Sequence, residues 1–237
     1  MMKLDRIHLY ATPPQPCSYL KQEESTTLFV DPDAPKDMRL YERLSEHGFR
    51  RSGKHIYRPY CKNCHACISV RLPVSQFLPT RSQKRVIKRN RDIDVIKVAA
   101  EFNEEHFDLY NRYQQSRHKD GGMDKTSRTE YEEFLITDWC DTVFYEFRLQ
   151  EQLVAVATAD ISASSFAAMY TFFDPEFKKR SLGSYAILWE IEETKRLGLN
   201  WLYLGYWIRE CQKMNYKTNY QPLEYYQYGI WSPLSPS

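Results

Sequence analysis

The sequence predicts a mixed α/β (α+β) fold, on three observations. Short alternating or continuous apolar runs at residues 68–72, 93–99, 143–149, 153–161, 166–173 and 201–206 have the length and the β-branched or aromatic content of strands. Between them stand stretches with apolar residues three and four apart, the period of a helix that buries one face. At 237 residues and 42% hydrophobic content, the chain can bury a substantial core in one large domain or two small ones.

Composition also excludes. No apolar run approaches the ~20 residues of a membrane-spanning helix. The opening residues, MMKLDRIHLYATPP, hold no long apolar segment, so neither a secretory leader nor a membrane partner is expected, and the expected location is cytoplasmic. Six cysteines in such a chain are expected to be reduced thiols or metal ligands. The net charge of +2 is too small to imply an acidic partner, so the distribution of charge carries the information.

From the N-terminus, Cys17 follows a proline-rich start. Residues 28–31 form a short strand, and Asp31-Pro32-Asp33-Ala34-Pro35 a turn. Residues 36–46 form a helix stopped near Gly48, and residues 49–53 and 56–59 form a hairpin. Next, Cys61, Cys64 and Cys67 stand at C-x2-C-x2-C spacing. That spacing brings three sulfurs within reach of one metal, with Cys17 or a histidine as fourth ligand. Tetrahedral zinc and iron–sulfur clusters both take thiolates so presented. The alternative is a knuckle of reduced thiols held by hydrogen bonds.

Residues 68–72 alternate and end as a strand at Pro73. Residues 80–91, TRSQKRVIKRNR, carry six cations and no acid. On a helix, Arg81, Lys84, Arg85, Lys88 and Arg89 share one broad basic face, Arg91 follows, and Val86 and Ile87 point inward. Like charges one turn apart destabilise a helix. An anionic partner offsets that cost, and a merely solvated face would carry interspersed acids, so this face predicts nucleic-acid phosphates.

Residues 93–99 form a strand. Asn103 caps a helix over 104–118, Gly121-Gly122 breaks the chain, and Ser127-x-x-Glu130 opens a second helix to about Ile136. Residues 143–149 alternate as a half-buried strand, and residues 153–161 form a central strand with Asp160 near its end. The continuous apolar run 166–173 suits a strand buried on both faces. Residues 181–196 form a helix with Leu182, Tyr185, Ala186 and Trp189 on one stripe, stopped at Gly198. Residues 201–206 are a second buried strand, and 208–214 a short last helix. A loose boundary near residue 100 separates an N-terminal domain (1–100), with the cysteine knuckle and basic helix, from a C-terminal domain (101–237) whose first strand is 93–99.

Between the strand 166–173 and the helix 181–196 lies KKRSLGS, residues 178–184. A helix N-terminus offers unpaired backbone N–H groups and a partial positive charge, so this turn suits a phosphate or a developing oxyanion. The turn resembles the acyl-CoA-binding turn of GNAT-type acyltransferases, Arg/Gln-x-x-Gly-x-Gly/Ala. Arg180 and Gly183 match, whereas Tyr185 stands at the final small position, where its ring is expected to obstruct a CoA pyrophosphate. The element order β-α-α-β-β-β-α-β-α is also that of a GNAT-type domain.

The stretches CSYL, GFRRSG, YRPYCKNCHACISVR, FLPTRSQKRVIKRN, SRHKDGGM, YTFFDP, RSLGSYAILWEI, YLGYWI and KMNYK occur in order along nearly the whole chain. In this set the sequence resembles the bacterial aspartate/glutamate leucyltransferases, which are leucyl-tRNA–protein transferases, and more distantly the eukaryotic arginyl-tRNA–protein transferases. The arginyl enzymes have an N-terminal Cys-x-x-Cys, and here Leu20 replaces its second cysteine, a departure from an iron–sulfur site of their type. The resemblance implies transfer of leucine from Leu-tRNA to the α-amine of proteins beginning with Asp or Glu, which marks them for N-degron degradation. The competing classes are a CoA-dependent N-acetyltransferase and a non-catalytic RNA-binding protein.

The residues can support the implied reaction. The tRNA ester is already activated, and an α-amine with a pKa of about 8 is partly neutral in the cytosol. The enzyme must align amine and ester, stabilise the oxyanion and accept a proton, with no cofactor required for the chemistry. The backbone amides from Arg180 to Ser184, Gly183 among them, are the oxyanion candidates. Asp160 is the candidate base or amine-orienting group, with a turn role as its plain alternative. Tyr170 and Tyr206 would orient the ester or stack on the terminal adenine, against a plain core role. The basic face Arg81, Lys84, Arg85, Lys88, Arg89 and Arg91 would hold tRNA. An acidic side chain needs a cation, best a bidentate arginine, and Arg50, Arg51, Arg58, Arg71 and Arg117 are the candidates.

Overall fold

The computed structural model describes residues 7–117 and 126–234. The first strands are β1 (Leu9–Ala11), β2 (Gln15–Pro16), β3 (Glu24–Ser25) and β4 (Thr27–Val30), followed by helix α1 (Met38–Glu46) and the strands β5 (Arg50–Ser52) and β6 (His55–Pro59). Helix α1 starts where the Asp37 carboxylate accepts the Leu40 amide at 2.7 Å, satisfying one orphan donor of its first turn. β5 and β6 are the predicted hairpin, at the edge of a small sheet ordered β1-β4-β6-β5. Its turn requires Gly53: φ is +54°, and a Cβ there would lie 2.0 Å from the Glu133 carbonyl oxygen.

The chain continues through β7 (Ile68–Pro73), α2 (Arg81–Arg89), β8 (Ile93–Ala99), α3 (Glu104–Arg117) and α4 (Arg128–Leu135). Then come β9 (Thr142–Leu149), β10 (Gln152–Ile161), β11 (Ser165–Phe173), α5 (Leu182–Arg196), β12 (Trp201–Trp207), β13 (Glu224–Gln227) and β14 (Ile230–Pro233). Eight strands form one mixed sheet ordered β14-β13-β7-β12-β11-β10-β9-β8, in which β11 and β12 are parallel. Helices α3 and α4 bury Leu109, Tyr110, Tyr131 and Leu135 against Phe144, Val156 and Phe172 of the sheet. Helix α5 packs Leu182, Ala186 and Ile191 with Val70, Phe147, Phe166 and Leu202 in the main core. Cover from helices on both sides of the sheet is why its central strands read as continuous apolar runs. Among the described residues no helix is long and apolar enough to cross a membrane.

Several expectations are met in detail. The capping boxes Thr80–Gln83 and Ser127–Glu130 open α2 and α4, and Asn103 accepts the amides of Glu105 and His106 at the start of α3. His118 and the Gly121-Gly122 break lie outside the described residues, as does most of SRHKDGGM.

Other expectations are corrected. The expected last helix at 208–214 is a series of tight turns, with Cys211 N bonded to Ile208 O and Met214 N to Cys211 O. A 3-10 helix, Asn215–Asn219, follows. The segment is too short to sustain a helical nucleus without packing along its length. The hairpin β13–β14 has no counterpart among the expected elements, and β13 extends the sheet beyond β7. Helix α5 starts at Leu182, after a 3-10 helix at Pro175–Arg180, because Ser181 takes the left-handed conformation with φ 56° and separates the two. Strand β11 is fully buried only near its start and at Phe172. In the large sheet β7, from the first hundred residues, lies between β12 and β13.

Candidate functional site

The parallel strands β11 and β12 pair over only three positions, Ser165 with Trp201, Phe166 with Leu202 and Ala167 with Tyr203. Beyond these, β11 runs on to Phe173 and β12 to Trp207 with no ladder between them. Both strands are irregular where they part. The register of β10 on β11 shifts at Thr158/Ala159, and that of β12 on β7 shifts at Tyr203/Gly205, where Gly205 has φ +79°. The ladder between two parallel strands therefore ends in a cleft of unpaired backbone toward their carboxyl ends, the place where α/β sheets bind ligands.

The β11 side carries Tyr170, whose ring packs on Tyr110, Tyr113, Phe134 and Phe172 and whose hydroxyl accepts from Gln114 Nε2 at 3.4 Å. Burial raises its pKa, so it is a neutral phenol. Arg117, at the end of α3, is exposed, with its guanidinium 5.4 Å from the Phe173 ring centroid and 6.0 Å from that of Tyr113.

On the β12 side, the Tyr206 hydroxyl faces the Gly48 and Tyr57 carbonyl oxygens at 3.0 and 3.2 Å and ties the strand to the N-terminal layer. The Tyr206 carbonyl accepts from Lys217 Nζ at 2.7 Å. Lys217 is buried, and desolvation pushes its pKa down to about 8.

The turn before α5 is latched to the basic helix. Arg180 holds both Asp92 carboxylate oxygens, at 2.8 and 2.9 Å, and donates to Arg89 O at 3.1 Å. In return Arg89 donates to Lys179 O, and Asn90 Nδ2 donates to Arg180 O at 2.9 Å. The side chains of Arg81, Lys84, Arg85, Lys88, Arg89 and Arg91 are exposed, as are Lys178 and Lys179, so one cationic surface forms from two sequence segments. Gly183 lies against the Phe173 ring, where a Cβ would fall 2.9 Å from Cε1. The Tyr185 ring turns into the core against Phe147, so it supplies no obstruction at the turn. Leu182, Gly183 and Ser184 form the first turn of α5, whose amides have no acceptor within the helix.

Asp160 and Arg51 lie elsewhere, in a fully buried pair. Arg51 Nη2 and Nε donate to the two carboxylate oxygens at 2.6 and 2.8 Å, and Thr142 Oγ1 donates at 2.7 Å. Burial opposes the Arg51 charge, and the carboxylate outweighs it and holds the guanidinium firmly protonated. Arg50 is buried, donates to Ser45 O, Phe49 O and Ser69 Oγ, and lies 4.5 Å over the Tyr203 ring. Arg58 reaches His47 O, and Arg71 is paired with Glu224 at 2.8 Å between Trp201 and Trp231. Among the described residues, Arg117 is in no ion pair, which sets it apart from the paired Arg51 and Arg71.

Cys17, Cys61, Cys64 and Cys67 are partly buried free thiols. Burial, then the neighbouring Cys17, Cys61, Cys64 and Cys211, push the Cys67 thiol up to about 12. Thiolates are the donor chemistry a zinc or iron site uses. Among the described residues, though, no three metal-capable side chains converge where an ion could sit.

Three residues near these features escape sequence reasoning. Cys211 sits in a turn and Lys217 in the 3-10 helix after it, neither with a spacing signature. Glu190 does leave a signal: it is an acid four residues beyond Ala186, on the inward stripe of α5.

Comparison with known proteins places the chain in a family. The family model described as arginine-tRNA-protein transferase, C terminus, matches residues 105–227, and its N-terminus counterpart matches residues 15–85. A protein of Pseudomonas aeruginosa (strain LESB58) named aspartate/glutamate leucyltransferase is 52% identical over 235 residues, covering 99% of this chain and 100% of its own. One of the same name from Pseudomonas fluorescens is 54% identical over 224 residues, covering 94% and 95%. Among solved structures, L-PGS from Bacillus licheniformis is 11% identical with a TM-score of 0.47, over 73% of this chain and 52% of its own, a likeness below the level at which a common fold follows.

Proposed function

The chain belongs to the aspartate/glutamate leucyltransferases, and on that premise we propose that it transfers leucine from Leu-tRNA to the N-terminal α-amine of proteins beginning with Asp or Glu, marking them for N-degron (N-end rule) degradation. The observation that carries this reading into the geometry is the latch between α2 and the turn before α5. It sets a cationic surface at the end of β11, on the side where β11 and β12 part. The tRNA phosphates lie on that surface and the acylated 3′ end enters the cleft.

The chemistry asks little more. The ester is activated, and the acceptor α-amine is partly neutral near pH 8. The first-turn amides of α5, which have no acceptor within the helix, are the donors we assign to the oxyanion. The order of elements and the parting of two parallel strands support a GNAT-type reading of the fold. Arg180 and Gly183, the two residues that matched an acyl-CoA turn, are occupied by Asp92 and by the Phe173 ring, which favours a tRNA donor over CoA.

Arg117 is the arginine we assign to the acidic side chain of the acceptor, because it is exposed beside the cleft and free of any ion pair among the described residues. Arg117→Met is expected to lower kcat/KM for Asp- and Glu-initiated peptides by roughly ten- to a hundredfold, as removal of a charge-assisted hydrogen bond would, while Leu-tRNA binding stays intact. In the wild type, peptides starting with Asn, Gln or Ala should react far more slowly, and an acetylated N-terminus should be inert. A variant that keeps the wild-type preference for Asp over Asn would place the reader at another residue.

A further inference from the structure

An open cavity of about 180 Å3 lies at the carboxyl end of β12, lined by Ala66, Ile68, Trp207, Arg209 and Glu210. Trp207 ends β12 and Ile68 begins β7, and the two are register partners, so the cavity sits on the last rung of that ladder. β12 has no ladder with β11 beyond Tyr203, so the cavity stands at the same end of the sheet as the cleft. Leu182, in the first turn of α5, and Trp207 belong to one core, which puts the amides assigned to the oxyanion and the cavity on one face of the sheet.

The lining is divided in its chemistry. Ala66, Ile68 and Trp207 make an apolar floor. Arg209 and Glu210 are exposed and form the rim, with the Arg209 guanidinium 5.6 Å from the Trp207 ring centroid. At ~30 Å3 for each water-sized group, the cavity has room for about six such groups. The four carbons of a leucine side chain fit that space, and the seven non-hydrogen atoms of an arginine side chain exceed it. An arginine donor would also bring its charge to apolar walls beside a second cation. Glu210 offers a carboxylate to the α-ammonium that every aminoacyl ester carries.

We propose that this cavity receives the side chain of the donor amino acid, with Ala66, Ile68 and Trp207 selecting leucine and Arg209 rejecting arginine. This rests on the transferase reading and deepens it by naming the residues that choose the donor. An apolar floor gains from each carbon it takes out of water, which separates leucine from alanine. The cation at the rim separates leucine from arginine.

The test uses the full chain and three probes: leucyl-, alanyl- and arginyl-adenosine, each with the ester replaced by a stable 3′-amide. The wild type is expected to bind the leucyl probe at least about tenfold more tightly than either of the others. Ala66→Leu fills the cavity from a half-buried position, and its leucyl-to-alanyl ratio is expected to fall to about one. Arg209→Met alters an exposed side chain, so it should fold, and its leucyl-to-arginyl ratio is expected to fall several-fold. A wild type that binds all three probes alike overturns the assignment outright. An unchanged leucyl-to-alanyl ratio in folded Ala66→Leu removes the side-chain pocket, and an unchanged leucyl-to-arginyl ratio in Arg209→Met removes the part given to the cation. Leucine transfer from Leu-tRNA is measured separately. A wild type that transfers leucine while the variants keep both ratios sinks this inference alone. Discrimination that the variants lose, without leucine transfer by the wild type, sinks the transferase reading alone.

Discussion

Asp160 is held at three points, by two Arg51 donors and by Thr142, and neither it nor Arg51 has any side-chain exposure. The pair joins the hairpin β5–β6 to the end of β10, so the chemistry visible there is that of a clamp. Removing one partner leaves the other charge buried and alone. Asp160→Ala is therefore expected to destabilise the protein by ~3–5 kcal/mol, read as a lower urea midpoint. If the variant kept wild-type stability and failed only in transfer, Asp160 would regain the role of base or amine-orienting group. At this scale the sequence shows residue types and hides their partners. An aspartate at the end of a central strand looks the same whether it faces substrate or Arg51, a partner 109 positions away. Lys217 is equally illegible, because its burial depends on a single short 3-10 helix that carries no periodic signal.

Among the elements, α2 is the one whose composition most plainly suggests a proposal that can be tested. Its charges leave only Gln83 fully buried in the helix, with Val86 and Ile87 half-buried against the core. Arg89 is partly engaged with the turn before α5, so the surface is best tested without it. Changing Lys84, Arg85 and Lys88 to Glu should weaken tRNA binding strongly and reduce the slope of log K against log salt by about one for each phosphate that is no longer neutralised. A folded variant with unchanged affinity and slope would move tRNA binding to another face. Strands and capped helices are legible because alternation, apolar runs and capping boxes are local. The hairpin β13–β14 is not, because its partner strand β7 lies some 150 residues earlier and supplies the surface on which its aromatic residues pack. The turn at Ser181 is also hidden, since a left-handed serine leaves no mark in sequence.

The whole molecule is one sheet built from both ends of the chain. β7 sits between β12 and β13, and Arg51, from the N-terminal layer, is paired with Asp160 of β10. A fragment spanning residues 101–237 would expose the edge of β12 and leave Asp160 buried without its cation. It is expected to be unfolded or aggregated by circular dichroism and size-exclusion chromatography. A soluble, cooperatively folding fragment would restore an independent C-terminal domain. Its family membership is the basis for reading the molecule as a transferase that uses tRNA as carrier and ester as energy source. The most direct test is a single transfer assay with purified protein, an Asp-initiated peptide and radiolabelled Leu-tRNA, without CoA or ATP, with unlabelled Arg-tRNA and Phe-tRNA as competitors and labelled acetyl-CoA as a separate donor. The account predicts that label from Leu-tRNA appears on the peptide's α-amine and that neither competitor suppresses it. Arginine transfer would keep the reaction and overturn the donor, and acetyl transfer independent of tRNA would contradict the account as a whole.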